Sequence, residues 1–541
     1  MTVLDAIEAA ARSHGARTAL VELAREVEAD EADTGGIVPG TRASARNPRH
    51  TSYAELHDRV LRACTALEEA GVLAGDRLAV LLDNSIDMVV TEWACLIGGY
   101  LWVALNVRSS VSEQAAILAD STPALLVAGE PHAELAAELA AAAGCRILVA
   151  GRTGEGWDAF VSSSPARGPR RISRECDPVR IRYTSGTAGR PKGAVLTRGC
   201  YDASLETVSR VIAPVETDDV LLQVAPMTHA SGAMFLPHAV VRARALLASH
   251  FDATRFAGIV ERHRVTAVFL VPTMVVRLIE LLDDGSARMM SRTLRTIVYG
   301  GASMPIDRLI RGLELLGPVF VQIYGLTEST WPVTWLSRQA HQQRVGEADS
   351  AWRARLASCG SPTPIGELRI VTEDGREAAV GESGEIRVRG RNTMMGYWRT
   401  PAESAPEEHK GLDSEGWMHT GDVGRRGADG NVTIVDRLHD MIVTGGFNVY
   451  PREVEDVLSN HPAVLESAVV GRPDAEWGET VHAFVVLRTG ADADSRDLLE
   501  HCARVLAGYK KPRTVELVAA LPKNASGKIL RRALRERLGV G

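Results

Sequence analysis

Ten consecutive residues, Thr184-Ser185-Gly186-Thr187-Ala188-Gly189-Arg190-Pro191-Lys192-Gly193, combine hydroxyls, glycines and a lysine in a pattern suited to an oxyanion. Without a Cβ the backbone can come close to a phosphate, and exposed N–H groups and the Lys192 ammonium can then meet its charge. A strand-like run, Val179-Arg180-Ile181-Arg182-Tyr183, precedes the loop, and the apolar Ala194-Val195-Leu196 follows it. A flexible Ser/Gly surface loop does not explain that framing. A Walker loop is excluded, because Arg190-Pro191 separates Gly189 from Lys192 and Gly193 stands where Ser or Thr would be needed. Cys200 lies close behind the loop, but no partner base accompanies it, so it is not read as a nucleophile.

A loop of this kind needs strands to hold it. Residues 78–82, 124–128 and 146–150 are short apolar runs, separated by helical stretches from Asp87 onward and over the Ala-rich 134–143. The same rhythm returns at 220–224, 266–271 and 296–299. Strands alternating with helices imply right-handed βαβ units on parallel sheet. Between 364 and 389 the pattern becomes alternating with turn signals, which predicts antiparallel strands in a small β-barrel-like subdomain. The last hundred residues carry helix, strand, strand, helix and strand patterns of their own. The expected class is therefore α/β: a large N-terminal domain over 1–436, a joint at 437–440, and a small α+β C-terminal domain over 441–541. Residues 1–23 read as an amphipathic helix broken around His14-Gly15, with no signal peptide. Residues 30–50 read as an exposed loop before a helix at Tyr53. Residues 93–107 read as a buried helix and loop, too short and too interrupted to span a bilayer.

The 541 residues suffice for roughly three to five structural units. A net charge of −7 offers no electrostatic reason to expect nucleic acid as a partner. The seven cysteines are scattered without zinc-ligand or redox-pair spacing, which predicts reduced thiols in a cytoplasmic protein.

The segment from Tyr183 to Thr197 closely resembles the AMP-binding signature of the adenylate-forming superfamily, which includes acyl-CoA synthetases, peptide-synthetase adenylation domains and luciferases. Further motifs of that family follow in order: Gln322-Ile323-Tyr324-Gly325-Leu326-Thr327-Glu328, Gly416-Trp417-Met418-His419-Thr420-Gly421-Asp422, Asp436-Arg437, Gly445-Gly446-Phe447-Asn448-Val449-Tyr450-Pro451 and Leu521-Pro522-Lys523-Asn524-Ala525-Ser526-Gly527-Lys528. The resemblance spans about Tyr53 to Arg532 and is closest to acyl-CoA synthetases. It implies ATP-dependent activation of a small carboxylic acid as acyl-adenylate, release of pyrophosphate, then transfer to CoA. Such chemistry needs a metal, cations, oriented N–H donors and a grip on the nucleoside. By resemblance Thr184, Ser185, Gly186, Thr187, Gly189 and Lys192 cradle the β- and γ-phosphates. Glu328 and Thr184 are implied at Mg²⁺, a hard ion that takes few carboxylates plus phosphate oxygens. Thr327 is implied at the α-phosphate. Tyr324 and Gly325 with Gly301 and Ala302 would border adenine, and Asp422 and Arg437 the ribose. Lys528 would swing in to bridge the carboxylate and α-phosphate oxygens.

For the second step the resemblance implies a rotation of the C-terminal domain about His439 that presents Gly445, Gly446 and Phe447 as a pantetheine channel. Lys510, Lys511 and Arg472 are candidates for the CoA phosphates. His229 matches the residue that gates the acyl pocket, with Met234, Gly300, Trp331 and Trp335 as further lining, and the two tryptophans suggest a short pocket for an aromatic or compact acid. The acceptor stays open between CoA and an alternative: a carrier-protein thiol, another nucleophile, or activation of a small inorganic acid. A non-catalytic scaffold is disfavoured, since Lys192, Glu328, Asp422, Arg437 and Lys528 are all present. The expected form is a monomer or homodimer.

Overall fold

A computed structural model of the chain describes residues 2–23, 48–151, 156–184, 191–330, 332–398, 411–523 and 529–539. Two large sheets dominate the N-terminal part. The first has seven strands in the order Gly396–Tyr397, Lys192–Thr197, Pro178–Thr184, Leu101–Ala104, Arg77–Leu81, Leu125–Gly129, Arg146–Ala150. Its last five strands are parallel, and Lys192–Thr197 turns back antiparallel on Pro178–Thr184. The second has nine strands in the order Ser361–Pro362, Thr334–Leu336, Phe320–Tyr324, Thr296–Gly300, Ala267–Leu270, Val220–Gln223, Arg244–Leu247, Thr18–Glu22, Arg49–Ser52. The central strands read as near-continuous apolar runs because helices cover both faces.

Local signals set the helix boundaries. Tyr53–Glu69 opens with a reciprocal Ser52/Glu55 capping box, and Ile86–Gly98 opens on Ser85 and stops at the left-handed Gly99. Every residue of Ile86–Gly98 is buried, so this helix is a core element between the sheets.

Two stretches differ from the sequence expectation. Residues 93–107 are not helix and loop alone, for Leu101–Ala104 is a strand between Arg77–Leu81 and Pro178–Thr184. Four apolar residues buried on both faces show no alternation by which a strand could be recognised. At the N-terminus the helix is Val3–His14, and the second half of the expected broken helix is the strand Thr18–Glu22. Its pairing with Arg244–Leu247, more than two hundred residues away, decides the matter over local propensity.

Downstream, Gly366–Val371, Ser383–Gly390, Met418–Arg426 and Val432–Arg437 form a four-stranded antiparallel sheet. The turn Leu438–Asp440 leads into a second, smaller α+β unit. It has five strands and the helices Pro451–Ser459, Ser495–Val505 and Arg531–Arg537. The expected helix, strand, strand, helix, strand series is there, preceded by a hairpin and followed by the terminal helix. The chain is thus α/β with a large N-terminal and a smaller C-terminal domain. Among the described residues no helix is long and apolar enough to cross a membrane.

Candidate active site

The site is built at the carboxyl ends of neighbouring parallel strands, where open α/β sheets bind ligands. Thr296–Gly300 and Phe320–Tyr324 lie side by side with Gly300 opposite Ile323. A Cβ on Gly300 would stand 2.4 Å from the Ile323 carbonyl oxygen, so only glycine lets the two strands meet there. Gly301 turns with φ +86°, and it and Ala302 are exposed at the sheet's mouth.

Tyr324 ends its strand with its side chain nearly buried. Its hydroxyl donates to Asp422 Oδ2 at 2.7 Å, and Arg437 Nε forms an ion pair with Asp422 Oδ1 at 3.0 Å. Asp422 and Arg437 face each other in register across the antiparallel sheet, so one short ladder places both. Asp422 is only 4% exposed. Burial, then the Asp422 charge, pushes the Tyr324 phenol well above its usual range, which keeps it a donor. Three residues predicted to hold the nucleoside thus meet at one point, coming from two different sheets.

The phosphate side gathers around a residue not anticipated from sequence, Tyr397. Its hydroxyl donates to Glu328 Oε1 at 3.0 Å, while no described residue donates to Oε2. Lys192 Nζ lies 5.5 Å from the centre of the Tyr397 ring. Gly396–Tyr397 pairs with Lys192–Thr197, and Thr184 faces Lys192 across the hairpin, its Oγ1 donating to the Lys192 carbonyl at 3.5 Å. Next door, Trp398 donates its backbone N–H to Gly193 O at 2.6 Å and its indole N–H to Asp120 O at 3.2 Å. Thr184, Lys192 and Glu328 are therefore brought together, and Gly325 and Thr327 lie on the turn between Tyr324 and Glu328. The only sequence signal for Tyr397 was an aromatic pair in a segment without helix or strand periodicity. One carboxylate with a free oxygen beside a hydroxyl suits Mg²⁺, which leaves most positions to phosphate and water. Among the described residues no group of three or more His, Cys, Asp or Glu could hold a metal by itself. Ser185, Gly186, Thr187, Gly189, Trp331 and Lys528 lie outside the described residues.

At the acyl end, His229 follows the strand Val220–Gln223 on a turn whose tightness requires Gly232, where a Cβ would stand 2.3 Å from Met227 O. Thr228 Oγ1 and His229 Nδ1 are 2.8 Å apart and share a hydrogen bond. The imidazole opens onto the cleft but is crowded by protein on its other sides. That burial, then the charges of Arg182 and Arg180, pulls it down to about 4, so it is neutral at pH 7. Met234 is fully buried in the main core, and Trp335 packs against the same core. Cys200 is buried, its Sγ 3.2 Å from Thr393 O, and burial pushes its thiol up; it has the character of a structural cysteine.

On the C-terminal unit, Gly445 (φ +55°) and Gly446 (φ +79°) form the two-residue turn between Ile442–Thr444 and Phe447–Val449. A Cβ on Gly445 would press on the Trp477 ring at 2.7 Å. Phe447 is 54% exposed and stacks on Tyr509 with ring centres 4.8 Å apart. Lys510 is committed elsewhere, pairing with both Glu453 carboxylate oxygens at 2.6 and 2.8 Å, whereas Arg472 is exposed. His439 sits in the turn Leu438–Asp440. Its neighbour Asp440 accepts from Arg535 at 2.8 Å and from Arg531 at 3.5 Å, and Arg531 also holds both Glu455 oxygens at 2.7 Å.

Thr184 and Lys192 facing each other on a hairpin, a carboxylate with one oxygen open among the described residues and an Asp–Arg–Tyr cluster at a strand end suit a nucleotide-binding α/β enzyme. The chain belongs to the AMP-binding enzyme family, whose model matches residues 8–398, and the family's C-terminal domain matches residues 453–528. It is 38% identical over 495 residues to a feruloyl-CoA synthase from Amycolatopsis, covering 90% of this chain and 94% of that one. It is 34% identical over 516 residues to an indoleacetate–CoA ligase from Aromatoleum aromaticum, covering 93% and 96%. Among solved structures, o-succinylbenzoate CoA synthetase from Bacillus subtilis, in complex with its acyl-adenylate intermediate, superimposes with TM-score 0.80. It is 28% identical, with 98% of each chain covered.

Proposed function

We propose that this protein is an ATP-dependent carboxylate–CoA ligase that works in two steps through a bound acyl-adenylate. The relatives named for feruloyl, indoleacetate and o-succinylbenzoate substrates all join a carboxylic acid to CoA, and this chain matches them over nearly its whole length. The observation that carries the reading is the convergence of Lys192, Glu328 and Thr184 around Tyr397, beside the Tyr324–Asp422–Arg437 cluster.

In this reading Thr184 to Lys192 hold the β- and γ-phosphates, and Asp422 and Arg437 hold the ribose. Glu328 and Thr184 would hold Mg²⁺, which when bound offsets the charge of the departing pyrophosphate. Neutral His229 borders the reacting carboxylate without adding a competing charge. Lys528 supplies the cation that bridges carboxylate and α-phosphate oxygens as the acyl–phosphate bond forms. Residues 1–436 and 441–541 act as separate bodies about 437–440, and Gly445, Gly446 and Phe447 then line the thiol's path. The seven cysteines, all free, fit a reducing compartment.

The decisive measurement is pyrophosphate release over a panel of carboxylic acids, with and without CoA, with mass detection of the thioester. Acid-dependent release together with a thioester is expected. Release without thioester would transfer the second step to a carrier-protein thiol or another nucleophile, and no release with any acid would overturn the reading.

A further inference from the structure

Beside His229, two guanidiniums, Arg180 and Arg182, share one buried carboxylate, Glu92, among the described residues. Arg180 and Arg182 alternate on the strand Pro178–Thr184 and so share one face of the sheet. Arg180 is engaged through both terminal nitrogens, although its Nε, like that of Arg182, is buried without a partner among the described residues. Its Nη1 donates to Glu92 Oε1 at 3.1 Å and to the Tyr201 hydroxyl at 2.9 Å, and its Nη2 donates to Thr228 O at 2.6 Å. Its guanidinium also lies 4.4 Å from the centre of the Trp102 ring. The Tyr201 hydroxyl donates to the same Glu92 oxygen at 3.0 Å, which closes the network with one carboxylate for one guanidinium.

Arg182 lies outside that network. Among the described residues nothing hydrogen-bonds or ion-pairs with its guanidinium, and its Nε is buried without a partner. Burial, then repulsion from Arg180, lowers it to about 9, still a cation at pH 7. Glu92 and, more weakly, Glu328 draw on it from a distance, but Glu92 is already bonded to Arg180 and Tyr201, and Glu328 to Tyr397. Arg182 borders an enclosed void of about 20 Å³ together with Glu92, Trp93, Ser204, Gly232 and Phe235. Trp93 and Phe235 stack there with ring centres 5.4 Å apart. A void of that size holds one water, a place that a single ligand oxygen could take. Gly232 and Phe235 lie within six residues of His229, and the Arg182 charge acts on the His229 imidazole more strongly than that of Arg180. A desolvated cation without a counter-charge is destabilising, and such a group in a binding cleft is where an anionic ligand completes the pairing.

We propose that Arg182 receives a second anionic group on the acyl substrate, so that the acid this protein activates is a compact dicarboxylate. The reacting carboxylate lies toward His229 and the distal one pairs with Arg182 across the stacked Trp93 and Phe235. The inference rests on the reading that acids are adenylated in this cleft, and its test separates the two.

The test uses matched pairs of substrates with one skeleton, each a dicarboxylate and its mono-methyl ester, ranging from short aliphatic to aromatic. Pyrophosphate release is measured with the full-length protein, Arg182→Leu and Arg182→Lys. For at least one pair the unaltered protein is expected to favour the diacid ten- to a hundredfold in kcat/KM, the range of a charge-assisted hydrogen bond. Arg182→Leu is expected to abolish that ratio, and Arg182→Lys to restore part of it. The preferred diacid should raise the melting temperature of the unaltered protein but not that of Arg182→Leu, and the leucine variant alone should melt no lower. A diacid preference absent from every pair, while mono-acids turn over, would overturn this proposal and leave the adenylation reading standing. An equal loss with both members of a pair in Arg182→Leu would also overturn it, by assigning Arg182 to the reacting carboxylate. No release with any acid would overturn the adenylation reading and this inference with it.

Discussion

The two ends of the cleft are built on opposite principles. At the nucleotide end the charges are held in place by protein partners: Asp422 holds Tyr324 and Arg437, and Glu328 holds Tyr397. At the acyl end Arg182 has no hydrogen-bond or ion-pair partner among the described residues, and His229 is held neutral by its surroundings. The first arrangement suits a ligand common to the whole family, since the groups are pre-set and need no rearrangement to meet it. The second suits a ligand that differs from one member to the next, because an unanswered charge discriminates between acids more strongly than apolar walls do.

Four experiments sharpen or break that contrast. The largest effect is expected from Lys528→Ala. Adenylation should fall about a hundred- to a thousandfold, the usual cost of losing one transition-state contact of this kind. Thioester formation from preformed acyl-adenylate should be largely spared, and equal loss in both half-reactions would remove Lys528 from the first step. Next, Asp422→Ala strips Tyr324 and Arg437 of their shared acceptor. The value of kcat/KM for ATP should drop about ten- to a hundredfold while KM for the acid moves little. Unchanged ATP kinetics would show that the cluster is structural only.

Gly300→Ala probes the seam between the strands. The added methyl meets the Ile323 carbonyl, and overpacking of this kind typically costs about 1–3 kcal/mol, read as a lower melting temperature. A variant as stable as the parent would mean that the strands part without strain. The smallest effect concerns His229. Its imidazole sits near 4 in the folded protein, below the roughly 6.5 of an exposed histidine, so below that pH the unfolded chain binds a proton that the folded chain refuses. Stability from this group is therefore level above about pH 6.5 and is lost as pH falls toward 4. A His229→Asn variant should match the parent's melting temperature above pH 7 and fall less steeply between pH 6.5 and 4. Parallel curves would disprove the neutral, crowded imidazole.

The sequence made the nucleotide end legible because its residues stand in short contiguous motifs with fixed chemistry. The strand end bearing Gly300 was likewise marked by the apolar run 296–299, whereas Phe320–Tyr324 showed itself only as part of a motif. What stayed hidden depended on distant pairing. Thr18–Glu22 is a strand only because Arg244–Leu247 lies beside it, and Leu101–Ala104 carries no alternation. Tyr397 reaches Glu328 only through the pairing of Gly396–Tyr397 with Lys192–Thr197. Arg182 was in plain view next to the phosphate loop, yet its significance lies in lacking a partner, which no reading of residue types can reveal.

The bonds around Asp440 have a mechanical consequence. Arg531 and Arg535 belong to the helix just beyond Lys528, and both reach the turn that follows Arg437. Arg531 also grips Glu455 on the helix Pro451–Ser459. Any twist of the backbone at His439 that carries Asp440 along therefore drags the terminal helix with it, like a crank fixed to its axle. The terminal helix and the turn at 438–440 would then move as one piece and not as two loosely joined parts.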